Sequence, residues 1–355
     1  MPISKKIVLT GTHLTPAIEF IRQLQSDPDI LWEIYYIGRI YNSSVNTTPA
    51  IESRVIPKAG IKYFGINCGK LDRRWFPNTL KGLPEILKGF FSALNLIKSL
   101  KPEFIVSFGG YVSVPVIVAG YFNKVKSITH EQTFTLSLST KINSLFCNKV
   151  ALSFPITIKF FKKKFIVTGN LLRREIFSTN SKKFKNFKLK IKNYPLIYIT
   201  GGNQGSFFIN NLTKLSLPLL SKKFFIIHQC GQKLKSHSSS NYLPLAYIDN
   251  QDIGWILNHA SLIISRAGAN TCQEIVVLKI KSILIPLKVS QQNEQIKNAA
   301  FVKAQLPDIT TVIPESKLNP PLLLSSIEKL IRIEYYRGVF KPKSNLRLLK
   351  LIKTI

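Results

Sequence analysis

Residues 261–299 decide the fold, and they read SLIISRAGANTCQEIVVLKIKSILIPLKVSQQNEQIKNA. A short β-branched run at Leu262–Ser265 ends at Arg266-Ala267-Gly268, and a helical pattern starts at Asn270. A second apolar run follows at Ile283–Leu287. Strand, glycine turn, helix and strand in this order form one βαβ unit. The stretch therefore predicts a parallel sheet that binds a ligand beyond the carboxyl ends of its strands.

Glu274 is expected in the first turn of this helix. A carboxylate repels phosphate, but it accepts two hydrogen bonds from vicinal hydroxyls such as those of a ribose, as acidic residues do in dinucleotide folds. The alternative is a helix-start glutamate that is favoured only by the helix dipole. The unit taken alone leaves both interpretations open.

The composition bounds the classes of protein and partner. The chain has 355 residues, enough for two domains, and a formal net charge of +32. Such a charge suggests nucleic acid, an anionic membrane or phosphorylated substrates. Lys, Ile, Asn and Phe are abundant together, as AT-rich coding DNA would produce, so the functional share of the charge stays open.

The cysteines and apolar runs predict a cytosolic protein with peripheral membrane contact. The four cysteines form no CxxC pair and lie in or beside apolar runs, which is typical of reduced, buried thiols. The N-terminal apolar run is too short for a signal peptide, and no run approaches the roughly 18 apolar residues of a spanning helix. Any contact with a membrane is therefore expected to be peripheral.

Polar or glycine-rich residues follow successive predicted strands at the same end, as a doubly wound sheet with a ligand crevice requires. His13, after the first strand, suits a base or a hydrogen-bond donor, and the alternative is a turn residue. The glycines of residues 201–206 suit a diphosphate wrapped by backbone N–H groups. These strand ends are Gly11-Thr12-His13, Gly109-Gly110-Tyr111, His130-Glu131-Gln132-Thr133, Thr168-Gly169-Asn170 and Gly201-Gly202-Asn203-Gln204-Gly205.

Two further segments set the organisation of the chain. Residues 178–194 are a lysine-rich break and predict the loop that enters a second domain. Residues 75–100 carry bulky apolar side chains among lysines, which suits an anionic membrane surface. The alternative for this second segment is an ordinary helix that packs inward. Helices are also predicted at 291–305, 327–336 and 341–355.

Six motifs together resemble the MurG family, within glycosyltransferase family 28, in order over nearly the whole chain. The family transfers N-acetylglucosamine (GlcNAc) from UDP-GlcNAc to undecaprenyl-pyrophosphoryl lipid I, which gives lipid II for peptidoglycan synthesis. The motifs are Gly109-Gly110-Tyr111-Val112-Ser113, His130-Glu131-Gln132, Thr168-Gly169-Asn170 with Arg173, Gly201-Gly202-x-Gln204-Gly205, Arg266-x-Gly268-Ala269-x-Thr271-x-x-Glu274, and Gln295-x-x-Asn298-Ala299.

The resemblance implies an α/β protein of the GT-B fold, with two Rossmann-like doubly wound domains facing across a cleft. The N-terminal acceptor and membrane-docking domain spans residues 1–172, and a C-terminal helix at about 337–355 returns to it. Residues 173–336 form the domain that binds the UDP-sugar. The implied location is peripheral, on the cytoplasmic face of the bacterial cell membrane, with UDP-GlcNAc, the lipid acceptor and anionic lipid as partners and no nucleic acid.

The resemblance also implies the roles of particular residues. Glu274 matches the acid that binds the ribose, Arg173 lies near the diphosphate, and Gln295 binds the sugar. The implied donor site is Arg173, Gly201, Gly202, Asn203, Gln204, Gly205, Arg266, Gly268, Ala269, Thr271, Glu274 and Gln295. The acceptor site is Gly11, Thr12, His13, Gly110, Tyr111, Ser113, His130, Glu131, Gln132 and Thr133. The membrane-docking residues are Trp75, Phe76, Leu80, Leu83 and Phe91.

These roles serve inversion at the anomeric carbon, with attack by the C4 hydroxyl of the muramoyl sugar while UDP leaves. His13 is the candidate base, because a neutral imidazole has a suitable pKa. The only DxD sequence, Asp27-Pro28-Asp29, falls in a predicted turn, so we expect no obligatory metal or cofactor. The sequence departs from the family at a contracted first glycine loop and at Thr133, which stands in place of asparagine. Both departures bear on the identity of the acceptor more than on that of the donor.

Two other functions remain open on the sequence. One is a related GT-B transferase that glycosylates another lipid, such as diacylglycerol. The other is a basic, non-catalytic protein on the same fold that binds nucleic acid or serves as a scaffold. The basic residues are scattered and are not gathered on one recognition element with interleaved aromatics, which argues against nucleic acid.

Overall fold

The structure is a computed structural model, and it describes nine segments of the chain. Contacts between residues divide the chain into two compact units, one of residues 1–171 with 343–355 and the other of residues 172–342. Each unit is built around its own parallel sheet. The described segments are residues 3–41, 49–69, 83–155, 162–177, 194–202, 205–231, 239–287, 293–337 and 346–355.

The first unit holds a seven-stranded parallel sheet in the order β3-β2-β1-β4-β5-β6-β7. The chain starts in the middle, runs outward to β3 and then crosses to β4 on the other side of β1. The switch point of this sheet therefore lies between β1 and β4. The strands are β1 Ile3–Gly11, β2 Ile30–Arg39, β3 Lys62–Ile66, β4 Phe104–Phe108, β5 Lys126–Glu131, β6 Lys149–Leu152 and β7 Phe165–Val167. The helices are α1 Leu14–Gln25, α2 Ile51–Val55, α3 Leu83–Leu100, α4 Ser113–Phe122 and α5 Leu138–Phe146.

Both faces of this sheet are covered, so the central strands are apolar along their length. Ile7 and Leu9 of β1 point into one hydrophobic core, and Val8 between them points into the other. Every residue of β4 is buried. Burial on both faces explains why these strands appear in the sequence as continuous apolar runs.

The second unit holds a six-stranded parallel sheet in the order β10-β9-β8-β11-β12-β13. Its switch point lies between β8 and β11, since the chain fills one side of β8 before it crosses to the other. The strands are β8 Leu196–Thr200, β9 Phe225–Gln229, β10 Tyr242–Leu245, β11 Leu262–Ser265, β12 Ser282–Leu284 and β13 Thr310–Val312. The helices are α6 Phe207–Leu220, α7 Asn250–His259, α8 Ala269–Leu278, α9 Glu294–Gln305 and α10 Pro320–Arg332.

The last helix, α11 Arg347–Lys353, packs in the first unit, which confirms the predicted return of the chain, although the helix begins at Arg347 and not at about residue 337. Leu348 and Ile352 are buried in the same core as Ile7. Lys353 Nζ lies 2.6 Å from Asp27 Oδ1 and 2.7 Å from Asp29 Oδ2. The DxD turn therefore binds the C-terminal helix.

Several sequence predictions of element bounds are wrong. The helix predicted at 327–336 runs from Pro320 to Arg332, and the Asn319 side chain caps it by accepting a hydrogen bond from Leu322 N at 2.9 Å. Asparagine is favoured as an N-cap and proline in the first turn of a helix, so Asn-Pro-Pro marks the true start. The prediction relied on the apolar pattern and overlooked this start signal. Helix α8 begins at Ala269, which puts Glu274 in the second turn and not in the first.

Some predictions fall outside the described residues. They include nearly all of the predicted linker at 178–194, as well as Trp75, Phe76 and Leu80. Within the described part of the chain, no helix is both long enough and apolar enough to cross a membrane.

Candidate active site

The turns that follow β1 and β4 are locked together at the switch point of the first sheet. Thr12 N donates to Gly109 O at 3.1 Å. A Cβ on Gly11 would overlap the backbone of Phe108, and one on Gly110, whose φ is +81°, would overlap the Thr12 side chain. The close approach of the two turns therefore requires glycine at both positions. The sequence analysis predicted that residues of both turns bind the acceptor. The structure brings the two turns into contact.

His13 occupies the N-cap position of α1, and its side chain makes no capping bond. Its ring lies beside Gly109, where an added Cβ would be 3.2 Å from His13 Cδ2. The residue is exposed by surface area. Neighbouring atoms nevertheless crowd the ring enough that desolvation lowers the pKa of His13, against the opposing attraction of the Glu131 carboxylate. We therefore take the imidazole as neutral at pH 7.

An ion pair that the sequence analysis missed lies close to these turns. Arg39, the last residue of β2, donates to Glu52 Oε1 at 2.7 Å and to Glu52 Oε2 at 3.1 Å. The Arg39 guanidinium also lies 6.0 Å from the centre of the Tyr111 ring. The two charges act on the pKa of His13 in opposite directions. Glu52 lies 13 residues from Arg39 on a separate helix, and no local pattern joins them.

Three predicted acceptor residues at and just after the end of β5 are buried and hydrogen-bonded within the protein. His130 and Glu131 end strand β5 instead of following it. His130 Nε2 lies 3.1 Å from Gly169 O, and burial lowers the pKa of His130 to about 4. The Glu131 carboxylate accepts hydrogen bonds from Thr133 N at 3.2 Å and from Ser137 N at 2.8 Å. These side chains hold the loop after β5 in place.

A buried polar network lies under the glycine turn after β4. Asn143 Nδ2, on α5, lies 3.0 Å from Ser113 Oγ and 3.1 Å from Thr129 Oγ1. Ser113 Oγ in turn donates to Gly110 O at 2.8 Å. Ser113 is fully buried, so it supports the turn from beneath. Asn143 was missed because a single asparagine in a helix carries no motif.

The predicted donor loops follow β8 and β11, the two strands at the switch point of the second sheet. Gly202 N donates to Thr200 Oγ1 at 3.0 Å, and Gly205 N donates to Gly202 O at 3.0 Å. These two amides are thus used inside the loop. Asn203 and Gln204 lie outside the described residues. In the first turn of α6, Ile209 N already donates to Ser206 Oγ at 3.4 Å. The other first-turn amides of α6 and α8 have no acceptor within their helices, so they are the better candidates for binding a phosphate.

Arg266 connects the two donor loops. Its Nη2 donates to Ser206 Oγ at 2.8 Å, and its Nη1 donates to Ile285 O at 3.2 Å. The same guanidinium forms an ion pair with Glu315. The predicted donor role of Arg266 is thus accompanied by a bracing role between the ends of β8, β11 and β12.

Glu274 and Arg173, predicted to bind different parts of the donor, form an ion pair with each other. Arg173 Nε lies 2.6 Å from Glu274 Oε1, and Arg173 Nη1 lies 3.5 Å from Asn250 Oδ1. The Glu274 side chain is 3% exposed and the Arg173 side chain 16%. Burial raises the pKa of the Glu274 carboxyl, and the Arg173 guanidinium opposes this rise. The helix-dipole interpretation of Glu274 loses its basis, because the dipole effect falls off beyond the first turn.

The remaining predicted donor residues adjoin the loop after β11. Gln295 Oε1 accepts a hydrogen bond from Leu287 N at 3.0 Å, and Asn298 Nδ2 donates to Ala267 O at 3.0 Å. A Cβ on Gly268 would meet nothing within 4 Å. The side of Gly268 that faces away from the protein is therefore open to an approaching group. Among the described residues, no group of three or more His, Cys, Asp or Glu side chains could hold a metal ion.

Comparison with known families agrees with this architecture. The family model named glycosyltransferase family 28 N-terminal domain matches residues 10–152, and the one named glycosyltransferase family 28 C-terminal domain matches residues 196–337. Among solved structures, Acinetobacter baumannii MurG superimposes with a TM-score of 0.66 at 21% identity, covering 99% of this chain and 100% of that one. The UDP-GlcNAc 2-epimerase of Methanocaldococcus jannaschii gives a TM-score of 0.63 at 12% identity, covering 99% and 100%. At these identities the two structures show the fold alone.

Sequence relatives narrow the assignment. A Clostridium tetani protein is 35% identical over 340 residues, which cover 92% of this chain and 90% of the relative. A Clostridium botulinum protein is 35% identical over 352 residues, which cover 96% and 95%. Both are named UDP-N-acetylglucosamine–N-acetylmuramyl-(pentapeptide) pyrophosphoryl-undecaprenol N-acetylglucosamine transferase.

Two parallel Rossmann-like sheets with these matches define a glycosyltransferase of the GT-B fold class. The chain belongs to the MurG family of N-acetylglucosamine transferases, within glycosyltransferase family 28.

Proposed function

We propose that this protein transfers GlcNAc from UDP-GlcNAc to the C4 hydroxyl of the muramoyl sugar of undecaprenyl-pyrophosphoryl lipid I, with inversion, to give lipid II for peptidoglycan synthesis. The observation that carries the proposal is Glu274, a buried, ion-paired carboxylate on the helix that leaves the switch point of the second sheet. A carboxylate held there suits the ribose of a nucleotide donor.

The donor site is built from the loops after β8 and β11. Glu274 accepts hydrogen bonds from the ribose hydroxyls, and the N-termini of α6 and α8 bind the diphosphate. Backbone N–H groups aimed at a leaving diphosphate stabilise its developing charge without a metal ion. The open side of Gly268 lets the sugar diphosphate approach the backbone closely. Gln295, at the start of α9, takes a sugar hydroxyl.

The acceptor side uses the turns after β1 and β4. His13 is the base that takes the proton of the attacking hydroxyl, which the exposure of the residue and its lowered pKa support. His130 is a poorer choice, since it is buried and its Nε2 lies against Gly169 O. Tyr111 borders the same turn and is partly exposed.

Membrane docking uses one face of α3. Leu83, Leu87 and Phe91 recur every four residues and are 47%, 48% and 57% exposed. Gly89, Ala93 and Ile97 are the buried residues of the same helix. Bulky apolar side chains on one face of a helix in a strongly basic protein suit the surface of an anionic bilayer. We place the protein on the cytoplasmic face of the bacterial cell membrane. There it binds the membrane peripherally and has access to its lipid acceptor.

The test is direct transfer of labelled GlcNAc. We expect the purified protein to move label from UDP-GlcNAc to a lipid I analogue with a short polyprenyl chain, and not to move glucose or galactose from UDP to diacylglycerol. Transfer to diacylglycerol alone would replace the proposal with the related lipid glycosyltransferase. No transfer, together with tight, salt-sensitive binding to nucleic acid, would favour the non-catalytic binding protein.

A further inference from the structure

The ion pair between Arg173 and Glu274 assigns the arginine a different task from the one its sequence position implies. We infer that Arg173 is a positioning residue, whose guanidinium orients the Glu274 carboxylate for the ribose, and that it does not bind the diphosphate. The inference rests on the proposed function, because it deepens the ribose role of Glu274.

Two nitrogen atoms of the Arg173 guanidinium, Nε and Nη1, already have hydrogen-bond partners. Arg173 Nε lies 2.6 Å from Glu274 Oε1 on α8, and Arg173 Nη1 lies 3.5 Å from Asn250 Oδ1 at the start of α7. The guanidinium is planar and presents its donors in a fixed fork, so a bond at Nε sets the orientation of the remaining N–H groups. Both partners belong to the second unit, as Arg173 does. An arginine held in this way orients a carboxylate before any ligand arrives.

Glu274 needs such a partner, because two features of its surroundings disfavour its charge. It is buried, and the Glu175 carboxylate acts on it unfavourably. Burial alone raises the pKa of a carboxyl, and a nearby carboxylate raises it further. Arg173 is the group that opposes both effects. A protonated Glu274 would have lost one of its two acceptor oxygens for the ribose.

The decisive experiment compares uridine, which has a ribose and no phosphate, with UDP. We expect Arg173→Met to lower the binding affinity for uridine and for UDP by the same factor. The factor should be at least about tenfold, as loss of a charge-assisted hydrogen bond implies. Ligand-observed NMR titration suits the weak uridine complex, and calorimetry suits UDP. The neighbouring exposed Arg174→Met is the matched control and should change neither affinity. A loss confined to UDP would overturn the inference and return Arg173 to the diphosphate.

The pH dependence provides a readout that a purely structural arginine would not move. Burial raises the pKa of Glu274 against the opposing Arg173 guanidinium, so removal of that guanidinium should raise this pKa further. The pH at which uridine affinity falls to half should therefore be higher in Arg173→Met than in the wild type. Arg173→Lys keeps a positive charge and should move this midpoint back toward that of the wild type. The same midpoint in Arg173→Met and in the wild type would contradict the inference.

A second pair of variants covers the risk that Arg173→Met unfolds the protein. Arg173→Met combined with Glu274→Gln leaves no unpaired buried charge. We expect the double variant to bind uridine as weakly as Glu274→Gln alone, because Arg173 acts through Glu274. A further loss in the double variant would contradict this. If Glu274→Gln leaves uridine binding unchanged, the ribose role in the proposed function fails as well, and the two failures are thereby distinguished.

Discussion

His13 and His130 show how burial separates two histidines that look alike in the sequence. Each follows or ends a strand of the first sheet, and each was assigned to the acceptor side. His130 is 1% exposed and its pKa is lowered to about 4. His13 is exposed and makes no capping bond. Only His13 is therefore accessible to an acceptor hydroxyl.

We expect His13→Ala to lower kcat by about 10²–10⁴-fold, the usual contribution of a general base, without weakening UDP binding. A base must be unprotonated, and the pKa of His13 lies below its ordinary value of 6.5. The acid limb of the wild-type pH–rate profile should therefore fall below pH 6.5 and disappear in the variant. Transfer assays from pH 5 to pH 8 measure both effects. An unchanged limb in His13→Ala would assign the base elsewhere.

At the level of single residues, the sequence predicted which side chains matter better than it predicted what they touch. Glu274 and Arg173 were both singled out, but their ion pair spans 101 positions and no local pattern encodes it. The Arg39–Glu52 pair and the Asn143 network were missed for the same reason. Contacts of this kind depend on the fold as a whole and not on spacing along the chain.

The glycine loop that precedes α6 is an element whose shape allows a matched test. Gly205 has a φ of +75°, and a Cβ there would overlap the carbonyl oxygen of Cys230. Gly202 has a φ of +87° but faces open space. We expect Gly202→Ala to cost about 1 kcal/mol of backbone strain and Gly205→Ala to cost more, since backbone must also move. Chemical denaturation measures both. Equal costs would show that the overlap does not constrain the loop.

The contact between α11 and the turn after α1 is a second element-scale test. We expect Lys353→Met to lower the free energy of unfolding by about 1 kcal/mol, the usual range for a partly exposed ion pair. Hydrogen bonding to Lys353 and Trp32 holds the pKa of Asp27 below its ordinary value despite partial desolvation. A carboxyl with a lowered pKa stabilises the fold above its unfolded pKa, and this contribution is lost as the pH falls through the folded pKa.

The difference between wild type and Lys353→Met should therefore be present at pH 7 and shrink below about pH 4. Lys350→Met, an exposed lysine on the same helix, is the control and should be neutral. Denaturation at pH 7 and at pH 3 gives the comparison. A difference that persists unchanged at pH 3 would mean that packing, and not charge, holds α11 in place.

Strands were easier to predict than helix starts. Apolar runs marked most described strands because both faces of each sheet are buried. Strands β3, β10 and β13 were not predicted, since each is short and lies at the edge of its sheet. Helices α8 and α10 start where a cap or a proline determines the first turn, and apolar periodicity does not report such positions.

At the scale of the whole molecule, the parallel α/β architecture followed from the sequence. Gly11-Thr12-His13 and Gly109-Gly110-Tyr111 adjoin the ends of β1 and β4, and Gly201-Gly202 and Arg266-Ala267-Gly268 follow β8 and β11, where strand order reverses. The rule that ligands bind at such switch points is general to open parallel sheets. The roles of individual residues remain predictions, because they depend on ligands that only binding measurements identify.

Membrane association is measured on the whole protein. It tests whether the apolar face of α3 docks on a lipid surface. We expect Leu83, Leu87 and Phe91, changed together to Ser, to reduce pelleting with vesicles that contain anionic lipid. Their side chains are exposed, so the fold should survive. Leu215→Ser with Leu219→Ser, two exposed leucines on α6, is the control and should pellet as the wild type does. Undiminished pelleting of the triple variant would refute docking by this face.

The most direct test of the central claim measures the affinity of wild type and Glu274→Ala for UDP and for 2′,3′-dideoxy-UDP by calorimetry, with circular dichroism as the control for folding. Two hydrogen bonds to a charged acceptor are worth about a hundredfold or more in affinity. The account predicts a loss of that size for UDP and equal affinity of both proteins for the dideoxy nucleotide. Unchanged UDP affinity in a folded Glu274→Ala would contradict it.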